Sequence, residues 1–169
     1  LPLIQGASYT YGISAVPGPL VRNIYVAKGA NSVLQGYESM AGQINVVLKE
    51  PQKSPQLFLN AYFDSFGESQ YNGFYSHRWN RWSSVVGGHV ARPARIRDLD
   101  KDNFIDVPLL ERYSFFNKWQ YRDAGEWGTH ATISVRYTDE SRQGGQTFFD
   151  PETDIGTTNA YGQLIEFQQ

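Results

Sequence analysis

Cysteine is absent from this sequence of 169 residues, which excludes a disulfide scaffold and any metal site built from thiolate ligands. No run of about 18 apolar residues occurs, so the sequence predicts no transmembrane helix. We also find no basic segment followed by an apolar one, and therefore identify no signal peptide. Neither sign of charge dominates, since 15 basic residues stand against 17 acidic ones, and this balance argues against a nucleic-acid partner.

Aromatic residues are abundant instead: 11 Tyr, 10 Phe and 4 Trp make up 15% of the chain. Many of them fall in segments of about ten residues in which apolar and polar side chains alternate, as in β-strands with two unlike faces. Five such segments follow residue 55, and a sixth begins near residue 160. The five are 56–64, 68–79, 82–91, 113–121 and 129–138.

The composition of the two strand faces favours a membrane environment. The polar faces carry Arg, Lys, His and Asn, whereas the apolar faces carry aromatic residues. Trp79, Trp82 and Trp119 lie close to predicted strand ends, where transmembrane barrels have girdles of interfacial aromatic residues. A soluble antiparallel sheet produces the same alternation and stays open as an alternative.

The predicted loops differ in length between the two ends of the sheet. Connections at one end, 80–81 and 122–128, are short, whereas those at the other end are 65–67, 92–112 and 139–159, two of which are long. Bacterial outer-membrane barrels have short periplasmic turns and longer extracellular loops. The long loops are therefore predicted to face the cell exterior.

The first 52 residues have a different texture. Short apolar strands are predicted at 24–28 and 43–49, with helical turns at 20–23, 31–35 and 38–40. Gly29, Gly36 and Gly42 punctuate them, where a positive φ or a close backbone approach is expected. The segment 50–55 contains two prolines and is predicted to be a linker.

The segment 18–50 resembles the C-terminal end of the plug domain of TonB-dependent outer-membrane receptors. That family typically has a short helix, an I-x-V-x-K-G strand end, S-x-x-x-G, and a G-x-I-N strand that ends in Lys. The matching residues are Ile24, Val26, Lys28, Gly29, Ser32, Gly36, Gly42, Ile44, Asn45 and Lys49. Two small departures are Ala30, where Pro is common, and Gln43, where Val or Gly is usual.

The resemblance, closest to Bacteroidetes-type members, implies a membrane all-β fold. Residues 1–52 would be the C-terminal part of the α+β plug, and residues 53–169 the first five to six strands of a 22-stranded antiparallel transmembrane barrel. A chain with so few of the strands is interpreted as a fragment, because an open barrel leaves edges that lipid does not tolerate.

The implied function is TonB-dependent uptake of a scarce extracellular ligand across the bacterial outer membrane, with no enzymatic activity and no required cofactor. The implied partners are the TonB complex of the inner membrane, an unidentified small-molecule or nutrient ligand, and outer-membrane lipid and lipopolysaccharide. Lumen-facing Asn60, Asn72, Arg78 and Arg136 are expected to bind the plug or line the path. Two alternatives are a non-transporting barrel in a larger envelope complex and an outer-membrane enzyme such as a lipid hydrolase.

One acidic stretch carries a candidate structural calcium site in a long loop. Four carboxylates occupy positions 1, 3, 5 and 9 of a calcium-loop pattern: Asp98, Asp100, Asp102 and Asp106. Asn103 stands at position 6, where Gly is usual, but Asn visits the left-handed region readily. Leu109 replaces the bidentate Glu at position 12, and Glu111 comes two places late. The alternative is a solvated acidic loop without a metal.

Other motifs are weaker. Residues 29–36 and 36–42 match neither a phosphate loop nor a nucleophile elbow, so neither predicts an enzyme. Arg92, Arg95 and Arg97 are candidates for binding lipopolysaccharide phosphates or an anionic ligand, or for pairing with the nearby aspartates. The three histidines fall on different faces or heights, and no metal site is predicted from them: His77, His89 and His130.

Overall fold

The computed structural model describes residues 16–29, 42–123 and 128–169 of the chain. The expected helical turns at 31–35 and 38–40, together with Ser32 and Gly36, lie outside the described residues. Gly29 and Gly42 lie within them and have positive φ values of 84° and 140°, as predicted. A Cβ at Gly42 would come within 2.8 Å of the Ala27 carbonyl oxygen, so only glycine fits there.

The described residues form eight strands in two antiparallel sheets. A two-stranded sheet pairs β1 with β2, and a six-stranded sheet runs from β3 to β8 in chain order. The strands are β1 (Val21–Lys28), β2 (Gly42–Leu48), β3 (Leu57–Phe63), β4 (Ser69–Trp79), β5 (Trp82–Arg92), β6 (Leu109–Arg122), β7 (His130–Gly145) and β8 (Gly162–Gln168). The predicted antiparallel, all-β architecture is thus confirmed for these residues, while the 22-stranded barrel and the plug stay predictions.

Two strands extend further than their alternation predicts. β6 begins at Leu109 rather than Tyr113, and β7 continues to Gly145 rather than ending at Thr138. The two extensions pair with each other, as in Leu109↔Gln143. The alternation pattern does not predict these extensions because they are stabilised by cross-strand hydrogen bonds rather than by an apolar face. The long loops are consequently shorter than expected, at 93–108 and 146–161, but they still lie at one end of the sheet.

The helical turn expected at 20–23 is wrong in position. A single turn of 3-10 helix spans Gly18–Leu20, and β1 begins directly at Val21. The Leu20 N–H donates to the Pro17 carbonyl at 3.0 Å, whereas the Lys49 N–H donates to the Leu20 carbonyl at 2.9 Å. Pairing with the end of β2 therefore draws the chain into an extended conformation immediately after Leu20.

The predicted linker at 50–55 is folded onto the large sheet rather than extended. Pro51 and Ser54 are buried, the Ser76 hydroxyl donates to the Pro51 carbonyl at 2.8 Å, and Arg78 donates to the Ser54 carbonyl at 3.1 Å. The prolines break regular structure, as predicted, but the turn they form packs against β4.

The small apolar core lies where the N-terminal segment meets the large sheet. Leu20 packs with three buried side chains of the sheet, Phe74, Val85 and Phe116, and Leu48 and Phe58 flank this cluster. The Lys49 ammonium lies 4.7 Å from the centroid of the Phe74 ring, which adds a cation–π contact. Leu20 thus anchors the segment to one face of the sheet.

Two adjacent glycines of β5 provide a test of this anchor. A Cβ at Gly87 would lie 3.0 Å from Leu20 Cδ2 and 3.3 Å from the Gly73 carbonyl oxygen, whereas a Cβ at Gly88 would meet only the Ser114 carbonyl oxygen at 3.8 Å. We expect Gly87→Ala to lower the free energy of unfolding by about 1–3 kcal/mol through overpacking. Gly88→Ala, the matched control, should raise it by roughly 0.5–1 kcal/mol.

Chemical denaturation in detergent, followed by tryptophan fluorescence, measures both values. Leu20→Ala should remove part of the cost of Gly87→Ala in the double variant, because contacting sites are not additive. Equal effects of the two glycine substitutions would contradict the anchor.

Candidate functional site

The two faces of the β3–β8 sheet are chemically unlike. Because side chains alternate along each strand, one residue in two belongs to each face. The aromatic face is formed by β3–β7 and includes Leu57, Leu59, Ala61, Phe63, Tyr71, Gly73, Tyr75, His77, Trp79, Trp82, Ser84, Val86, Gly88, Val90, Tyr113, Phe115, Asn117, Trp119, Tyr121, Ala131, Ile133, Val135 and Tyr137. The opposite side, called the polar face, includes Asn60, Asn72, Ser76, Arg78, Ser83, His89, Arg112, Ser114, Lys118, Gln120, Ser134, Arg136, Thr138 and Glu140.

The exposure of side chains on the two faces is the reverse of that expected for a sheet in water. On the aromatic face, Leu59 is 75% exposed and Ile133 66%, whereas on the polar face Ser76 is 2% exposed and Thr138 1%. A water-soluble sheet buries its apolar face and exposes its polar one. Exposed apolar patches much larger than a few hundred Å² mark surfaces that contact membrane or protein.

Tryptophans gather at the short-turn end of the aromatic face, as predicted. Trp79 pairs with Trp82 across the two-residue turn. The Trp79 and Trp119 rings meet edge to face at 5.7 Å between centroids, and Trp82 lies 5.0 Å from Tyr121. Amphipathic rings of this kind favour the boundary between lipid and water.

Residues paired with one another across the strands form rows on each face, and each row is named here by one of its members. On the aromatic face, the first rows with charged residues stand well away from the tryptophan cluster. No Asp, Glu, Lys or Arg occupies the aromatic face of β3–β7 from the Trp79 row to the row of Gly73 and Gly88. Asp139 belongs to the next row, and Arg92 with Glu111 to the one after. Ten strand residues separate the Trp79 row from the Arg92 row, or about 26 Å at about 3.4 Å per residue and a tilt of about 40°. The apolar band of a bacterial barrel is about 25 Å tall.

One row of the polar face carries hydrogen-bonding side chains across five strands. Its members are paired by register as Asn60, Asn72, His89, Ser114 and Thr138. The Asn72 amide donates to Asn60 Oδ1 at 3.3 Å, and Asn72 Oδ1 lies 2.7 Å from His89 Nδ1. Because an amide oxygen only accepts, His89 Nδ1 carries the proton in this arrangement.

The predicted lumen residues have different partners. Asn60 and Asn72 bond to each other, Arg78 binds the Ser54 carbonyl in the N-terminal segment, and Arg136 donates to Gln169 Oε1 at 2.6 Å. Among the four, it is thus Arg78 that hydrogen-bonds, within the described residues, to the segment that precedes β3. Lining of a path stays a prediction for the others.

Asn72, His89 and Ser114 stand in the order of orienting amide, base and nucleophile in a hydrolase. Sequence analysis missed this set because 17 residues separate Asn72 from His89, and only the register joins them. However, His89 Nε2 and Ser114 Oγ are both buried and have no hydrogen-bond partner, each other included. A nucleophile must reach its base and a substrate. His89 and Ser114 therefore do not form a catalytic pair in this arrangement.

A buried ionic group closes the polar face at the long-loop end. Glu140, 4% exposed, accepts a hydrogen bond from Arg112 at 2.6 Å through one carboxylate oxygen and another from Arg142 through the second. Arg112 Nη2 is buried without a partner. Such groups carry a desolvation cost, and breaking them leaves an uncompensated charge.

Three of the four predicted calcium ligands converge. Asp98, Asp100 and Asp106 each place a carboxylate oxygen within 4.8 Å of the other two, whereas Asp102 accepts the Phe104 N–H at 2.7 Å instead. Asn103 adopts φ of 69°, the left-handed conformation predicted at position 6.

The acidic loop also satisfies itself without a metal. Asp98 accepts the N–H groups of Asp102 and Asn103, and Asp106 accepts that of Leu99. The charge of Asp102, together with burial and the hydrogen bond that protonated Asp100 donates to Asp98, raises the pKa of Asp100 above its usual value. These carboxylates therefore repel one another, which a cation would relieve, and the calcium site stays a prediction.

The three arginines before this loop are not paired with its aspartates. Arg92 binds Glu111 at 3.1 Å and lies 5.5 Å from the Tyr113 ring centroid. Arg95 packs its stem on Gly67, and no carboxylate in the described ranges lies within 4.0 Å of the charged groups of Arg95 or Arg97. Within the described residues, Arg95 and Arg97 thus differ from Arg92, whose charge is paired with Glu111.

The histidines do not converge. His77 belongs to the aromatic face, stacked near Tyr75 and Trp79. His89 and His130 belong to the polar face, but the registers set them eight residues, or about 27 Å, apart along the strands. The only cluster of three carboxylate or histidine ligands among the described residues is the one at Asp98.

No helix in the described part of the chain is both long and apolar enough to cross a membrane. Comparison with protein-family models, curated proteins and solved structures gave no match.

The buried Glu140 group predicts a large effect on stability. Glu140→Gln should lower the free energy of unfolding by about 3–5 kcal/mol, because the buried Arg112 and the partly buried Arg142 lose their counter-charge. Glu111→Gln is the matched control, since the exposed Arg92–Glu111 pair is worth only about 0–1 kcal/mol. Denaturant titration in detergent measures both, and equal losses would show that burial does not govern these pairs.

The acidic loop predicts weak, pH-dependent calcium binding. We expect a dissociation constant of about 10⁻⁴–10⁻³ M, the range of extracellular calcium modules, measured by isothermal titration calorimetry. Asp100→Asn should abolish the heat, whereas Asp102→Asn, outside the three-carboxylate group, should retain it. Affinity should fall as pH drops through the raised pKa of Asp100, because a proton then occupies a ligand.

Without calcium, the contribution of Asp100 to folding stability changes with pH in the opposite direction to the calcium affinity. A raised pKa in the folded state means that folding favours protonated Asp100, so this contribution is present below that pKa and is lost as pH rises through it. Absence of calcium heat at neutral pH, or equal heats for the two variants, would leave a solvated acidic loop.

Proposed function

We propose that this chain forms part of a TonB-dependent receptor of the bacterial outer membrane, which takes up a scarce extracellular ligand. The observation that carries the proposal is the inverted sheet: its aromatic face is exposed, whereas the opposite face is largely buried along β4–β6. The motif resemblance in residues 18–50 names the family, and the inverted sheet supplies independent physical support.

Lipid is the medium that makes such a sheet stable. Burying the aromatic face in hydrocarbon removes apolar area from water, which stabilises by roughly 25 cal/mol per Å². Hydrocarbon cannot bond backbone groups, so strands must satisfy each other through a ladder. The ladder from β3 to β8 meets that requirement for its inner strands.

The N-terminal segment lies against the polar face, as a plug inside a barrel would. Leu20 packs on Phe74, Val85 and Phe116, and the Pro51 carbonyl accepts the Ser76 hydroxyl. These contacts are a small apolar cluster and isolated hydrogen bonds rather than a shared strand ladder. A pulling force from TonB would then displace the segment while the sheet keeps its own hydrogen bonds.

Two alternatives to this proposal predict different observations. A non-transporting barrel of an envelope complex fits the same inverted sheet, and stoichiometric partners in purified outer membranes would favour it. A soluble β-sandwich would need a second layer over the entire aromatic face, whose side chains are widely exposed.

The absence of cysteine permits a direct test in living cells. In the full-length protein, with any cysteine outside these 169 residues replaced by serine, we would place single cysteines at Thr153 in a long loop, Asn80 in the two-residue turn, and Val86 on the aromatic face. The cells would then be treated with a membrane-impermeant maleimide. We expect Thr153→Cys to react in intact cells and Asn80→Cys only after the outer membrane is permeabilised. Val86→Cys should stay protected until the protein is denatured.

Each outcome separates the hypotheses. Reaction of Val86→Cys in intact cells, or recovery of the protein in an aqueous fraction, would overturn the membrane assignment. If the labelling fits a barrel, cross-linking to TonB and uptake that requires both TonB and the proton gradient distinguish transport from a purely structural role. A full-length product without further amphipathic strands would also contradict the proposal.

A further inference from the structure

A small polar pocket lies where the N-terminal segment meets the short-turn end of the polar face. Its volume is about 140 Å³. Gln52 borders it from the turn at 51–54. From the sheet it is bordered by Tyr121 and by two successive cross-strand pairs of β6 and β7, Gln120↔Thr132 and Arg122↔His130. The pocket is thus shared between the segment and the sheet.

The polar side chains of this pocket are not used by the fold. Within the ranges that the structure describes, five of them form no side-chain hydrogen bond or ion pair: Gln52, Gln120, Arg122, His130 and Thr132. A few polar groups that converge on one cavity, and are free to bond, are what fixes a small ligand in its site.

A buried hydroxyl group beside the pocket supports a bound ligand independently. Ser83 is 2% exposed, and its Oγ has no hydrogen-bond partner among the described residues. Ser83 pairs directly with Gln120 across β5 and β6, which sets their Cβ atoms about 5 Å apart. Whether the Gln120 amide turns its oxygen or its nitrogen toward Ser83, at least one N–H group remains to donate to an occupant.

The charge and the size of the pocket identify the class of ligand. Arg122 is permanently charged, no described carboxylate lines the pocket, and the adjacent Asp123 is bound by Arg81 at 3.4 Å. A guanidinium group matches the oxygen atoms of a carboxylate or phosphate group in geometry as well as in charge. Drug-sized ligands need about 300–1,000 Å³, so the occupant is a small oxyanion.

We propose that this pocket binds a small oxyanion, a phosphate or a carboxylate, which contacts Arg122 on the sheet and Gln52 in the N-terminal segment. A ligand held by both stabilises their docked arrangement, because it does not bind the separated parts equally well. The anion would thus be a removable contact between segment and sheet. Only its consequence for displacement of the segment during transport rests on the proposed function.

Isothermal titration calorimetry of the full-length protein in detergent, at constant ionic strength, tests the site with inorganic phosphate and with acetate in separate titrations. The tighter ligand identifies the preferred oxyanion, and uncharged acetamide should not bind. Arg122→Gln should weaken binding by about tenfold or more, because a charge-assisted hydrogen bond is lost. The matched control is Lys118→Gln, which removes the same charge from the same strand and face outside the pocket and should bind as the wild type does.

Hydrogen exchange at the turn tests the contact with the segment. The Lys53 N–H donates to the Glu50 carbonyl at 3.1 Å, so its exchange reports opening of the turn. At an anion concentration about ten times the dissociation constant, this exchange should slow by up to about tenfold in the wild type. It should not slow in Arg122→Gln, and Gln52→Leu should lose most of the effect.

The outcomes separate this inference from the proposed function. Equal binding by the wild type, Arg122→Gln and Lys118→Gln, all with native tryptophan fluorescence, would overturn the pocket. Binding found only in Glu126→Gln would assign the pocket to the chain's own carboxylate and overturn a free ligand. Binding without slower exchange would overturn the contact with the segment. Each of these results leaves the membrane assignment standing, whereas recovery of the protein in an aqueous fraction would overturn that assignment and not the pocket.

Discussion

The register of the β3–β8 ladder is the constraint on which the rest of the structure depends. Because side chains alternate with a period of two, a slip of one residue would exchange the aromatic and polar faces. The turn between β4 and β5 fixes one register tightly, since Asn80 adopts a φ of 47° and Trp79 pairs directly with Trp82. Two-residue hairpins need such a positive φ, and every neighbouring pair then follows from cross-strand hydrogen bonding.

This register forces polar side chains together where water is excluded, and their mutual bonding makes the arrangement tolerable. Asn60, Asn72 and His89 bond in series, and Glu140 holds two arginines. Buried polar groups cost free energy unless they are paired. The same register leaves most of the aromatic side chains substantially exposed, with no second layer of described residues over them. Pairing on one face and exposure on the other are therefore two consequences of one alignment, and the proposed lipid exterior would suit both.

Alternation and turn chemistry predicted most of the sheet, and the failures have physical causes. Strand β5 was predicted almost to the residue, at 82–91 against the observed Trp82–Arg92. The extension of β7 past Thr138 was missed, because a run such as Asp139–Arg142 shows no apolar face and is held by its pairing with β6. Pro51 and Pro55 correctly indicated a break in regular structure. The sequence could not show that the turn at this break packs against β4. Within the acidic loop, local spacing predicted the left-handed Asn103, whereas the departure of Asp102 from the carboxylate group depends on its bond to the Phe104 N–H.

Strands β3 and β8 are the edge strands of the six-stranded sheet. Each of these strands has seven residues and pairs on one side only with described strands. Their second edges present rows of N–H and C=O groups, and in hydrocarbon each unpaired group costs several kcal/mol. Water would satisfy such edges, but water would not tolerate the aromatic face between them. In the proposed membrane setting, such a sheet would therefore continue on both sides, by further strands or by pairing with another chain. Closure by further strands is the solution that removes both edges and encloses the polar face, together with the segment anchored there through Leu20.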